Sequence, residues 1–161
     1  MSVLVLGLGN AIMTDDGFGV KVIDTLSSRY CFQGPVSLVD GGTLGLDLLP
    51  RLEKVASLLI IDAIDMRQAP GTIFRLDGDA VPRAFASKLS VHQMGLQDLL
   101  AVAELQGHVP DDLVVWGVQP ESIAMGTELT AKVAAAVEPL INQVVNELQN
   151  WGITHERRGD M

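Results

Sequence analysis

Four side chains in this sequence combine the types needed to hold a divalent cation: Asp16, Asp40, Asp62 and His92. Carboxylates and an imidazole are hard to borderline ligands, and a set of two acids and one histidine leaves coordination positions open for a substrate. Each acid follows a short apolar run. Residues 3–6 (VLVL) lead into Gly7, Gly9 and then Asp15-Asp16; residues 36–39 lead into Asp40-Gly41-Gly42; residues 58–61 lead into Asp62. His92 opens a pattern of Met94, Leu96, Leu99, Leu100, Val102 and Leu105 at helical spacing, ahead of another apolar run at 113–118. Runs of Val, Leu and Ile suit strands buried on both faces. In open α/β sheets, ligands gather beyond the carboxyl ends of the strands. On that reasoning the three acids share one rim of a sheet and His92 faces it. Two of these carboxylates and the imidazole then form a three-ligand divalent metal site.

Competing roles exist for each of these residues. Asp15 and Asp16 stand at the mouth of a helix, where an aspartate caps the first turn and complements the helix dipole; one is expected to cap and the other is left for chemistry. Asp62 can accept backbone hydrogen bonds at a strand end, and His92 can cap a helix. The glycines at 7 and 9 suggest a dinucleotide-binding turn. That reading fails, because Ile12 stands where the third glycine belongs and two negative charges precede the helix. His108 and His155 read as solvated side chains, and Cys31, between Tyr30 and Phe32, as a small hydrophobe.

The elements that would position these residues follow from periodicity. Strands are predicted near 3–8, 36–40, 57–62, 72–76 and 113–118. Helices are predicted at 17–29, on a short stripe of Leu44, Leu48, Leu49 and Leu52, over about 93–105, and over 130–151 with a kink at Pro139. Only about seven residues separate the third and fourth strands, too few for a parallel crossover, so the fourth is expected to run antiparallel and, from its alternation, to lie at an edge. The expected fold class is α/β: a three-layer α/β/α domain spanning 1–161, with a mixed five-stranded sheet, parallel but for the fourth strand, and a frayed tail at 155–161.

Composition sets further bounds. Hydrophobic residues make up 48% of the 161, and the formal net charge is −9. A packed core is expected, and without a basic patch the chain is not expected to bind nucleic acid. The start of the chain lacks a basic segment and is broken by Gly7 and Gly9, unlike a secretory signal, and no apolar run reaches the ~20 residues of a membrane helix. With a single cysteine, these features lead to the expectation of a cytoplasmic protein without membrane insertion.

Several blocks together resemble the hydrogenase maturation endopeptidases, which trim the C-terminal extension from the large subunit of nickel-iron hydrogenases. They are GLGNAIMTDDGFGV at 7–20, LVDGGTLGLDLL at 38–49, IDAID at 61–65, PGTIFRL at 70–76, SVHQMGLQDLL at 90–100 and GVQPE at 117–121. They occur in family order and cover nearly the whole length. The resemblance places the family's metal-contacting positions on Asp16, Asp62 and His92, the first of which is often glutamate in the family, and leaves Asp40, beside Gly41 and Gly42, as a candidate general base or substrate-positioning group. It also implies a mixed five-stranded sheet, and a reaction in which the recognised Ni²⁺ is supplied by the substrate, a nickel-loaded large-subunit precursor, although a surrogate divalent cation could bind. The alternative within the same ligand set is a nickel-binding maturation chaperone without peptidase activity. HExxH is absent, and no Ser-His-Asp arrangement is evident.

Overall fold

The structure, a computed structural model, describes residues 2–42, 55–81 and 110–160. Its centre is β1 (Val3–Leu8), whose six residues are all buried. On one side β1 pairs in parallel with β3 (Val36–Gly42), and on the other with β4 (Ser57–Ala63), which is also buried throughout. β4 pairs in parallel with β6 (Asp112–Val118), and β5 (Ile73–Asp77) closes that edge antiparallel to β6. The five-stranded order is therefore β3-β1-β4-β6-β5. This is the expected α/β fold with one antiparallel strand at an edge. The fourth strand of the sheet, β5, reverses direction as its short connection requires, but its neighbour is β6 and not β4.

Strand alternation divides the core. Val3, Val5, Leu59 and Ile61 pack with the helices of one face, while Leu4, Leu6, Leu58 and Ile60 belong to a second cluster with Ile64, Val81 and Val115 on the other. The first face receives α1 (Phe18–Arg29), which buries Phe18, Val22, Ile23 and Leu26. No side chain caps α1. A missing cap costs about 1 kcal/mol, whereas burying each large apolar side chain is worth about 1.5–3 kcal/mol, so packing decides that this segment is helical. Gly7 and Gly19 let the helix approach the sheet: a Cβ on either would collide with backbone of the opposing element.

The C-terminal helix is interrupted just upstream of Pro139. α2 (Ala131–Ala134) and α3 (Val137–Asn150) are separate helices joined at Ala135 and Ala136. Pro139 has no N–H for the carbonyl of Ala135, and its ring crowds that carbonyl, so the interruption falls four residues upstream of the proline. Pro139 itself sits in the first turn of α3, where a missing N–H is harmless. α3 buries Leu140, Ile141, Val144 and Leu148, and its Glu147 carboxylate accepts bonds from Arg75 Nε on β5 (2.7 Å) and Trp116 Nε1 on β6 (3.0 Å).

The tail expected to fray at 155–161 is ordered through residue 157 and beyond. Thr154–Arg157 forms β7, antiparallel to β2 (Tyr30–Gln33), and Arg158–Asp160 makes a 3-10 turn. His155, expected to be solvated, packs edge-on against Tyr30 with ring centroids 5.1 Å apart. Cys31, on β2, is half-buried. The helices expected at 44–52 and about 93–105 lie outside the described residues.

Candidate active site

The carboxyl end of β1 delivers the chain into a tight turn. Gly9 has φ 119°, a conformation open to glycine, and a Cβ there would collide with the carbonyl oxygen of Asp16 and stand 3.3 Å from Asp62 Oδ1. Gly9 therefore packs between the main chain of Asp16 and the carboxylate of Asp62. Asp16 belongs to a 3-10 turn, Thr14–Gly17, and its Oδ2 accepts the N–H of Asn10 at 2.8 Å. Asp62, at the end of β4, is 1% exposed, and its Oδ1 accepts the N–H of Ala63 at 2.8 Å.

Asp40 stands apart from this pair. It is exposed, lies opposite Gly7 on the edge strand β3, and by alternation shares the face of Leu38, whereas Asp62 shares that of Ile60. Two strand spacings, about 10 Å, separate β3 from β4. His92 lies outside the described residues, and among those described no group of three His, Cys, Asp or Glu side chains is placed to hold a metal ion. Around Gly9, then, stand the Asp62 carboxylate and the main chain of Asp16, whose own carboxylate is turned to the N–H of Asn10.

Neither member of the Asp15-Asp16 pair caps a helix; the 3-10 turn and α1 both begin without a side-chain cap. Asp15 is fully buried and accepts the backbone N–H groups of Glu121, Ser122 and Thr130. Burial pushes its pKa up, but those three bonds and the Thr130 hydroxyl outweigh it and hold the carboxyl below the usual carboxylate range.

Gln119 is a second organising residue that its sequence context leaves without a role. Its buried side chain accepts the N–H groups of Met66 (2.7 Å) and Gln68 (3.2 Å) and donates to Asp65 Oδ1 (3.0 Å), fixing the loop that follows β4. The bond from the Arg67 N–H, with that from Gln119, holds Asp65 below its ordinary pKa. The signal for Gln119 is its place at the end of a buried strand in GVQPE, where a large amide needs several partners.

Residues 20–147 match the model of the hydrogenase maturation protease family. The chain belongs to that family. As a hydrogenase maturation protease it is an endopeptidase, and its relatives agree over nearly the whole length. It is 40% identical to the hydrogenase 2 maturation protease of Escherichia coli over 154 residues, which cover 95% of this chain and 94% of that one. The fold matches the solved hydrogenase-maturating endopeptidase HybD from E. coli with a TM-score of 0.94, 39% identity and full coverage of both chains. A [NiFe] hydrogenase maturation protease, HybD from Thermococcus kodakarensis, matches with a TM-score of 0.71 and 27% identity, covering 92% of this chain and 99% of that one. The family match begins after Asp16, but the full-length fold match includes the turn that carries it.

Proposed function

We propose that this hydrogenase maturation protease removes the C-terminal extension of the nickel-iron hydrogenase large-subunit precursor after nickel has been inserted. Asp16, Asp62 and His92 recognise the nickel carried by that substrate. The observation that supports the reading is the packing of Gly9 between the Asp16 main chain and the Asp62 carboxylate at the carboxyl rim, in a chain of this family. The [NiFe] client of the T. kodakarensis relative supports a nickel-iron client here. Contact with the substrate's nickel would orient the scissile peptide and polarise the carbonyl or water that reacts. Asp40, exposed on β3 and set apart from Asp62, then steers the substrate peptide rather than acting as general base. The lone Cys31 suits a reaction in the reducing cytoplasm.

The substrate chain meets the loops around the rim. Ile12, Ile123 and Met125 are exposed large hydrophobics, and the segments carrying them are joined by the bond from Gly126 N–H to the Ile12 carbonyl. Apolar side chains left in solvent on joined segments suit contact with a polypeptide substrate. Incubating the purified chain with nickel-loaded precursor tests the proposal. A smaller large-subunit band on a denaturing gel is expected. A stable complex without cleavage would favour the chaperone reading.

A further inference from the structure

Asp15 is buried and chemically occupied. Its Oδ2 accepts the N–H of Glu121 at 2.8 Å and of Ser122 at 3.0 Å, and its Oδ1 accepts the N–H of Thr130 at 2.8 Å. The Thr130 hydroxyl lies 2.9 Å from Oδ2 and 3.1 Å from Oδ1. These contacts fill the acceptor capacity of a carboxylate and exclude a substrate. They also pin both ends of the 121–130 segment at one point.

That segment in turn grips the residues just before Asp16. The Gly126 carbonyl accepts the Thr14 N–H at 2.9 Å, the Ala124 carbonyl accepts the Thr14 hydroxyl, and the Ser122 carbonyl accepts the Asp15 N–H at 3.1 Å. Thr14 needs to be held, because its φ of 51° puts a β-branched residue in the left-handed region, where its side chain crowds the backbone. A relaxation at Thr14 would re-aim Asp15 and Asp16, which lie between it and the anchored start of α1. The Asp16 carboxylate would then leave the N–H of Asn10.

We infer that Asp15 is a positioning residue: by pinning the 121–130 segment it keeps Thr14 left-handed and so holds the Asp16 carboxylate on Asn10. The consequence for catalysis rests on the reading of Asp16 as part of the active site; the geometric coupling does not.

The experiment compares Asp15→Asn, Thr130→Val and Ser57→Ala. The first is isosteric but offers a donor where donors already converge, and the second removes only a hydroxyl. The third deletes the bond from Ser57 to Asp112 (2.7 Å) at the opposite end of β4 and serves as a control for lost stability. At temperatures chosen to equalise distance from each melting point, amide hydrogen exchange at Asn10 is measured together with kcat and KM for the precursor. Asp15→Asn is expected to speed Asn10 exchange about tenfold relative to Ser57→Ala, the effect of losing one hydrogen bond to a charged group. It should lower kcat by a similar factor, with Thr130→Val moving both in the same direction. Adding Thr130→Val to Asp15→Asn should cost little more, because both disable one clamp. Should Asp15→Asn fail to fold, Thr130→Val decides alone. Unchanged Asn10 exchange in the folded variants would overturn the inference. Asp16→Asn, run alongside, separates the two levels. If it cleaves normally while Asn10 exchange still rises in Asp15→Asn, the coupling stands and the catalytic reading of Asp16 falls. If it is inactive and Asn10 exchange does not respond, the reading stands and the coupling falls.

Discussion

The carboxylate of Asp15 accepts the backbone N–H of Thr130 at 2.8 Å, while that of its neighbour Asp16 accepts the N–H of Asn10 at the same distance. Two adjacent acids thus face different parts of the molecule. Asp15 is sealed inside against a segment more than a hundred residues away, and Asp16 is half-buried at the rim. An amide replacing either one should therefore fail for different reasons, one through geometry and the other through lost ligand character.

Asp16→Asn should reduce precursor cleavage at least about 100-fold, because a neutral amide is a poor metal ligand. Asp16→Glu should retain activity, since glutamate keeps the negative charge and adds only one methylene of reach. Asp62→Asn should behave like Asp16→Asn while keeping its melting temperature, because the amide oxygen can still accept the Ala63 N–H. His92→Ala should also abolish cleavage. Initial-rate assays on nickel-loaded precursor, with thermal melts of the same samples, check all four.

Gly9→Ala should destabilise the fold by about 2–4 kcal/mol in urea titration. The new Cβ collides with the Asp16 carbonyl oxygen, in a conformation that disfavours any L side chain. Cleavage should fall as well, because relief of the clash shifts the Asp16 main chain relative to the Asp62 carboxylate. A variant as stable and as active as the parent would show that Gly9 does not set the spacing between the Asp16 main chain and Asp62.

Replacing Ile123 and Met125 together by serine should raise KM about tenfold and leave kcat and the melting temperature unchanged. Both side chains are exposed, at 57% and 84%, so nothing in the fold is lost, whereas a few apolar anchors can dominate a contact with a protein partner. A melting temperature that fell along with binding would give the loop a structural role instead.

Glu147→Ala should do the reverse, costing about 2–3 kcal/mol of stability with cleavage preserved at temperatures where the protein remains folded. It leaves Trp116 Nε1 and Arg75 without the acceptor that joins α3 to β5 and β6. Chemical denaturation and an activity assay on one preparation separate the two effects.

Much of the fold could be read from local pattern. The unbroken apolar runs of β1 and β4 become strands buried on both faces, and the alternating, charged β5 becomes an edge. What local pattern could not supply was pairing at a distance. β5 reverses as its short connection demands, but its partner β6 starts 35 residues after β5 ends. β2 and β7 are four-residue strands whose Glu156 and Arg157 look like a solvated tail until Tyr30 and His155 meet. The same limit applies at the site. Nothing near Asp15 says that it binds Thr130, so sequence could identify the acid pair but not which acid faces solvent. Proline chemistry was legible in kind but not in place, since Pro139 acts on the carbonyl four residues before it.

The central claim is that nickel carried by the substrate triggers the cut. Metal-stripped enzyme is mixed with nickel-loaded and with nickel-free precursor, and cleavage is followed on a denaturing gel. The account predicts cleavage of the nickel-loaded precursor alone, with no metal added to the enzyme. Equal cleavage of both precursors, or activity restored only when zinc is returned to the enzyme, would contradict it.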